Sequence, residues 1–127
     1  MPFDDHSNFG YSTVVTAPAP ALSGVTLTVD AGQGALFPTA PFNATVWPSG
    51  TLPLSSNGEI VRVTAVVGDT LTIVRAQEGT VAVAIAVGFQ IGNTTTVKVF
   101  TDIETDVSAL QGDVSTLQGE MVTAQGD

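Results

Sequence analysis

"EIVRVTAVVGDTLTIVRAQEG" spans residues 59–79, and its pattern decides the class of fold. Two runs rich in Val, Ile and Thr flank Gly68-Asp69. Such runs favour a pleated, paired backbone. A two-residue Gly-Asp connection suits a tight hairpin, because glycine reaches positive φ without a Cβ clash. With Gly68-Asp69 as the loop, Val67 lies opposite Thr70, and counting outward puts Arg62 opposite Arg75. Like charges directly opposite destabilise a strand pair. Glu59 and Glu78, near the open end, stand where they would offset that repulsion. Neither face is polar: Val61, Val63 and Val67 fall on one, and Ile60, Val66, Leu71 and Ile73 on the other. A strand pair apolar on both faces is covered on both.

Outward from the hairpin the β signals continue. "VTLTVD" (25–30) alternates Val25, Leu27 and Val29 with threonines, the period of a half-buried strand. "LFPTAPFNATVWPSGTLPLSSNG" (36–58) holds four prolines, so it reads as loops around one short strand at 43–47. Downstream, "TVAVAIAVG" (80–88) reads as a strand with a small face of Ala82, Ala84 and Ala86. "FQIGNTTTVKVF" (89–100) reads as a second break at Gly92-Asn93 and a last strand. Residues 1–24, with "TAPAPALSG", read as an extended arm whose Phe3, Phe9 and Tyr11 would anchor it to a neighbour. The expected fold is mainly β: a small antiparallel β-sandwich or barrel-like domain over 25–99, after the 1–24 arm and before a C-terminal coiled-coil helix over 100–127.

That helix follows from a change of period. "DVSALQGDVSTLQG" (106–119) is one heptad written twice, with Ala109 replaced by Thr116. Apolar residues recur with 3-4 spacing from Phe100. Position a holds Phe100, Val107, Val114 and Met121; position d holds Ile103, Leu110, Leu117 and Ala124. A strict a/d stripe of this kind is the seam of a coiled coil. Position g is acidic (Asp106, Asp113, Glu120), and position e is Glu104, then Gln111, Gln118 and Gln125. Gly112, Gly119 and Gly126 occupy the outward f position. Each glycine costs about 1 kcal/mol against Ala in a helix, so the seam must gain partners for the helix to persist. The eight a/d residues are the expected oligomerisation contacts.

Composition narrows the functional classes. The chain has 127 residues, 43% apolar and only 12% charged, with a net charge of −9. That is about half the charge of an ordinary soluble domain, which hints at surface covered by partner subunits. Arg62, Arg75 and Lys98 are the only bases. Nucleic-acid binding through a basic groove, and attraction to an anionic membrane, are therefore not expected. There is no cysteine, hence no disulfide or thiolate chemistry. No apolar run reaches a membrane-spanning length of about 18–20 residues. "MPFDDHSNFG" does not read as a signal peptide, so synthesis in a cytoplasm is expected.

No credible active site emerges. His6 follows Asp4 and Asp5, but three adjacent residues near a terminus seldom build a metal site. Asp30, Glu59, Asp69 and Glu78 are the only acids of the β region, and the last three lie at turns or hairpin ends where acids are common. No cofactor, metal or catalytic residue is assigned. Trp47 reads as a core or loop anchor, with a lesser role in contacts.

The stretch "NGEIVRVTAVVGDTLTIVRAQEGTVAVAIAVGFQIGNTTT" (57–96), with "FPTAPFNATVW" upstream, resembles a segment of fibre-like structural proteins of tailed bacteriophages. The resemblance covers about half of the chain. It implies a β-domain anchored on the virion, at the capsid or tail, followed by a trimeric coiled-coil shaft. Val at a with Leu at d favours two strands instead. The resemblance also implies that the natural chain continues, since the heptad phase is intact at Asp127. The expectation is a non-enzymatic virion structural protein, the anchoring part of a tail or head fibre serving host attachment. Its partners would be copies of itself and other virion proteins, with Phe3, Phe9, Tyr11 and Trp47 as candidate virion contacts. Two other expectations are a capsid decoration protein and the mounting domain of a carbohydrate-cleaving tailspike.

Overall fold

A computed structural model describes residues 4–125, with side chains described for residues 4–121. The hairpin over 59–79 forms as β4 (Glu59–Val67) and β5 (Thr70–Gln77), with Val67 opposite Thr70 and Gly68 at φ 60°. The outer register differs from a simple count. Two irregularities interrupt the ladder, and Arg62 lies opposite Val74, not Arg75. Between the pairs Ile60–Gln77 and Arg62–Val74, β5 advances three residues while β4 advances two. The extra residue is accommodated by Ala76 at φ 53°. A bulge of this kind re-aims side chains. Here it removes the expected clash of two arginines.

A second bulge, between Val63 and Ala65, puts the extra residue on β4. It switches the strand's faces. Val61 and Val63 point into the core, Val66 packs against it, and Val67 is 76% exposed. Val67 therefore does not share a face with Val61 and Val63 as the unbroken alternation predicts.

The remaining strands are β1 (Tyr11–Thr16), β2 (Thr26–Val29), β3 (Phe42–Trp47) and β6 (Gln90–Gly92). All pairings are antiparallel, and the cyclic order β1-β2-β5-β4-β3-β6 closes into a barrel. Closure leaves no open sheet edge. It also corrects the segment read as an arm: residues 11–16 of it are a barrel strand, paired with both β2 and β6.

Two connections join strands that are not neighbours, β2 to β3 and β5 to β6. Each must cross an end of the barrel, and each drops a plug into it. Residues 30–41, with a 3-10 turn at Gln33–Leu36, insert Phe37, whose ring stacks on Phe42 at 5.9 Å. Residues 78–89 insert Ile85, which is fully buried. "TVAVAIAVG" is thus a crossing segment, not the expected strand. Its amides are bonded by Glu59, Ala21 and Val14 rather than by a ladder. Between the plugs lies the core: Val14, Leu27, Val29, Phe42, Ala44, Val46, Val61, Val63, Leu71, Ile73 and Ile91.

The expected last strand before residue 100 does not form. β6 ends at Gly92, and α1 runs Val97–Gln125. Its 29 residues span about 43 Å at the usual rise. Residues 4–96 form one compact unit, and α1 belongs to another.

Candidate functional site

Two features stand out: an apolar stripe on α1, and a charged pair inside the barrel. On α1, the expected seam residues Phe100, Ile103, Val107, Leu110, Val114, Leu117 and Met121 are each between 42% and 63% exposed. The 3-4 spacing puts them on one face of the helix. A shallow surface hollow lined by Asp106, Val107, Ala109, Leu110 and Asp113 lies along that face. The side chain of Ala124 lies outside the described residues. Gly112 and Gly119 face open space, with nothing within 4 Å of where a Cβ would stand. Near the start of α1, Lys98 pairs with Asp102 one turn on.

Burying the rest of seven such side chains against other chains is worth on the order of 5–10 kcal/mol per chain. The two glycines subtract about 1 kcal/mol each. The balance favours a helix that is ordered with its seam covered.

Inside the barrel, Glu59 shares inward parity with Val61 and Val63 on β4, and Arg75 with Leu71 and Ile73 on β5. Strand alternation therefore carries both charges inward. Glu59 is fully buried and meets Arg75 in a two-pronged pair, with Nε–Oε2 and Nη2–Oε1 both at 2.9 Å. The carboxylate also accepts from the amides of Ala76 at 2.7 Å and Val83 at 3.0 Å. Arg75 donates further to the carbonyls of Ala21, Gly24 and Val83. All five guanidinium N–H groups are engaged, and so are the carboxylate's lone pairs. Burial pushes the Glu59 carboxyl up. The Arg75 hydrogen bonds, the Val83 and Ala76 amides and the guanidinium charge outweigh burial and hold it below the ordinary glutamate value. With every acceptor position used, this carboxylate is a cross-link between loops.

A second charged network is centred on Arg62 of β4 and Asn43 of β3. Arg62 grips Asp4 with two bonds of 2.8 and 3.0 Å and donates to Asn43, which donates to Glu78 at 2.7 Å. This network ties the residues before β1 to β4. Glu59 pairs with Arg75 and Glu78 accepts from Asn43, but the Arg62–Arg75 repulsion that the two acids were expected to offset does not arise. Sequence reasoning did not find Asp4, because that contact joins residues far apart in the chain.

The candidate virion contacts are not brought together. Phe3 lies outside the described residues. Phe9 is exposed at φ 61°, and Tyr11 lays its ring over Gly92, where a Cβ would meet Cδ1 at 2.4 Å. Trp47 is half-buried at the other end of β6, opposite Gln90. Among the described residues, no group of three or more His, Asp or Glu side chains is arranged to hold a metal ion, His6 included. Among the described residues, no helix is long and apolar enough to cross a membrane. No protein-family model matches the chain, and no curated protein sequence matches it.

Proposed function

We propose that the chain is a non-enzymatic structural protein of a phage particle, in which the β-barrel anchors a homo-oligomer to the capsid or tail and α1 begins its stalk. The observation that carries the reading is the α1 seam: seven large apolar side chains in unbroken heptad phase, half-exposed to water. A monomer seldom exposes such a stripe, and copies of the same helix cover it by knobs-into-holes packing. The virion assignment is supported by the phage-like segment over 57–96 and by the order of barrel and then heptads.

The test is the double substitution Leu110→Asp, Leu117→Asp, followed by sedimentation equilibrium of the full chain. The oligomer is expected to lose mass, and the helical signal at 222 nm to fall. An unchanged oligomer would remove the coil from the reading. Labelled antibody against the chain should mark the surface of intact particles, and particles free of label would overturn the virion assignment.

A further inference from the structure

The α1 stripe has two flanks of unlike chemistry. On one side, position g carries Asp106, Asp113 and Glu120; on the other, position e carries Gln111 and Gln118, with Gln125 next in the sequence. Asp106 and Asp113 line the shallow hollow along the stripe, together with Val107 and Leu110. Gln111 and Gln118 are exposed. No Lys, Arg or His occurs between residues 99 and 127, and Lys98 falls on the outward f position. The acidic flank therefore has no base to meet on a sister helix. Its neighbours there are either amides or more acid.

Which of the two it meets depends on direction. Between parallel helices, position g reaches position e of the next heptad on the neighbour; between antiparallel helices, g meets g and e meets e. Parallel packing sets Asp106 against Gln111, Asp113 against Gln118 and, by the same step, Glu120 against Gln125. An amide can donate to each carboxylate. Glu104, the acidic e residue, then meets Val99 at the preceding g position. Antiparallel packing sets Asp113 against Asp113 and Asp106 against Glu120. Sliding one helix by a heptad sets Asp106 against Asp113 instead, so the repulsion persists. Like charges held face to face disfavour a pairing, and such repulsion selects among alternatives that bury the same apolar stripe.

We infer that the acidic g flank and the amide e flank set the direction of assembly, so that sister copies of α1 pack parallel with their Val97 ends together. This deepens the stalk reading and rests on it, since that reading supplies the copies that cover the stripe. The stripe alone does not choose a direction: its apolar residues are buried equally well either way. Asp106 and Asp113 act by excluding the antiparallel arrangement, and Gln111 and Gln118 by accommodating them in the parallel one.

The chain has no cysteine, so a single introduced thiol reports direction in the full chain. Ile103→Cys occupies a d position. In a parallel assembly it meets itself; in the antiparallel arrangement that sets Asp113 against Asp113 it meets position 121. In a glutathione redox buffer, Ile103→Cys alone is expected to form a disulfide-linked dimer, and mixing it with Met121→Cys should add no mixed product. A mixed 103–121 disulfide as the main product, or none at all, overturns the inference. A second variant reads direction without a thiol. Gln111→Lys gains an Asp106 partner on the neighbouring copy if the helices are parallel, but sets Lys against Lys if they are antiparallel. No acid lies three or four residues from position 111, so the gain cannot arise within one helix. Against Ser115→Lys, which changes the net charge equally on the outward face, sedimentation equilibrium should show association about threefold tighter or more. The advantage should shrink in about 1 M salt. Association no tighter than that of Ser115→Lys overturns the inference. Failure of the stalk reading looks different: there the parent chain itself does not associate, or Leu110→Asp, Leu117→Asp leaves its association unchanged, and the assigned direction falls with it.

Discussion

The barrel and the helix treat their apolar side chains in opposite ways. Leu27, Phe42, Val61, Val63, Leu71 and Ile91 are sealed inside a closed ring, and even the two charges that strand alternation carries inward meet a full set of partners. On α1 the equivalent side chains, from Phe100 to Met121, have nothing comparable over them. One unit satisfies its own chemistry, whereas the other leaves an apolar stripe half-exposed, which the proposed stalk would cover with further copies. Self-sufficiency therefore predicts sensitivity to internal substitution in the barrel, and to concentration and seam chemistry in the helix.

The sharpest way to break that contrast is to open the barrel's buried pair. Arg75→Met leaves the Glu59 carboxyl sealed from water without its counter-charge, and one-sided removal of a buried pair costs about 3–5 kcal/mol. The loss should appear in denaturant unfolding followed through Trp47 fluorescence. Replacing both partners together, Glu59→Leu with Arg75→Leu, should cost less than the single change, since no charge is left stranded. A single substitution that costs under about 1 kcal/mol would show that the barrel does not depend on this cross-link.

The two units also differed in how much of them could be read from sequence. The heptad is a local, repeated pattern, and α1 runs through the whole of it, starting only three residues before Phe100. The β4–β5 hairpin was equally legible, because its turn is two residues long. Ring closure was not, since it depends on pairing between distant segments. "YSTVVT" (11–16) has strand composition, but Pro18 and Pro20 drew it into an expected arm; β6 is what holds it. "TVAVAIAVG" has strand composition too, yet it must cross from β5 to a non-neighbour, so topology overrode propensity. The inward charges left a signal that passed unused. Glu59 continues the Val61–Val63 parity and Arg75 continues Leu71–Ile73, which marks both as interior.

A gentler way to sharpen the contrast is to improve the helix without touching its seam. Gly112 and Gly119 face open space, so Ala at both introduces no clash. Each change should favour the helix by about 1 kcal/mol. In a chain whose helix is ordered by association, this gain appears as helical signal that persists to lower concentration, with the barrel's unfolding midpoint unmoved. If Gly112→Ala, Gly119→Ala instead left the concentration dependence at 222 nm unchanged, helix order would not be linked to assembly.

The smallest expected effect concerns how the β4–β5 turn is held. Asp69 accepts from the amides of Gly32 and Gly34, both at 3.0 Å, and these two bonds hold its carboxyl below the ordinary aspartate value. Gly34 sits so close to the turn that a Cβ there would stand 1.9 Å from the Gly68 carbonyl oxygen. The sign follows from linkage. A carboxylate whose folded pKa is depressed adds stability that is complete above its unfolded value, about 3.9, and is lost as pH falls through the lower folded value. Glu59 contributes acid sensitivity of the same sign, so the two must be separated by substitution. Asp69→Asn removes the titrating group and leaves one carbonyl acceptor for the two amides. Its barrel should be slightly less stable than the parent at neutral pH, and the gap should close as pH falls below about 4. A gap that stays constant down to the acid limit would mean that the Gly32 and Gly34 bonds hold the turn through geometry alone, with no contribution from the carboxylate's charge.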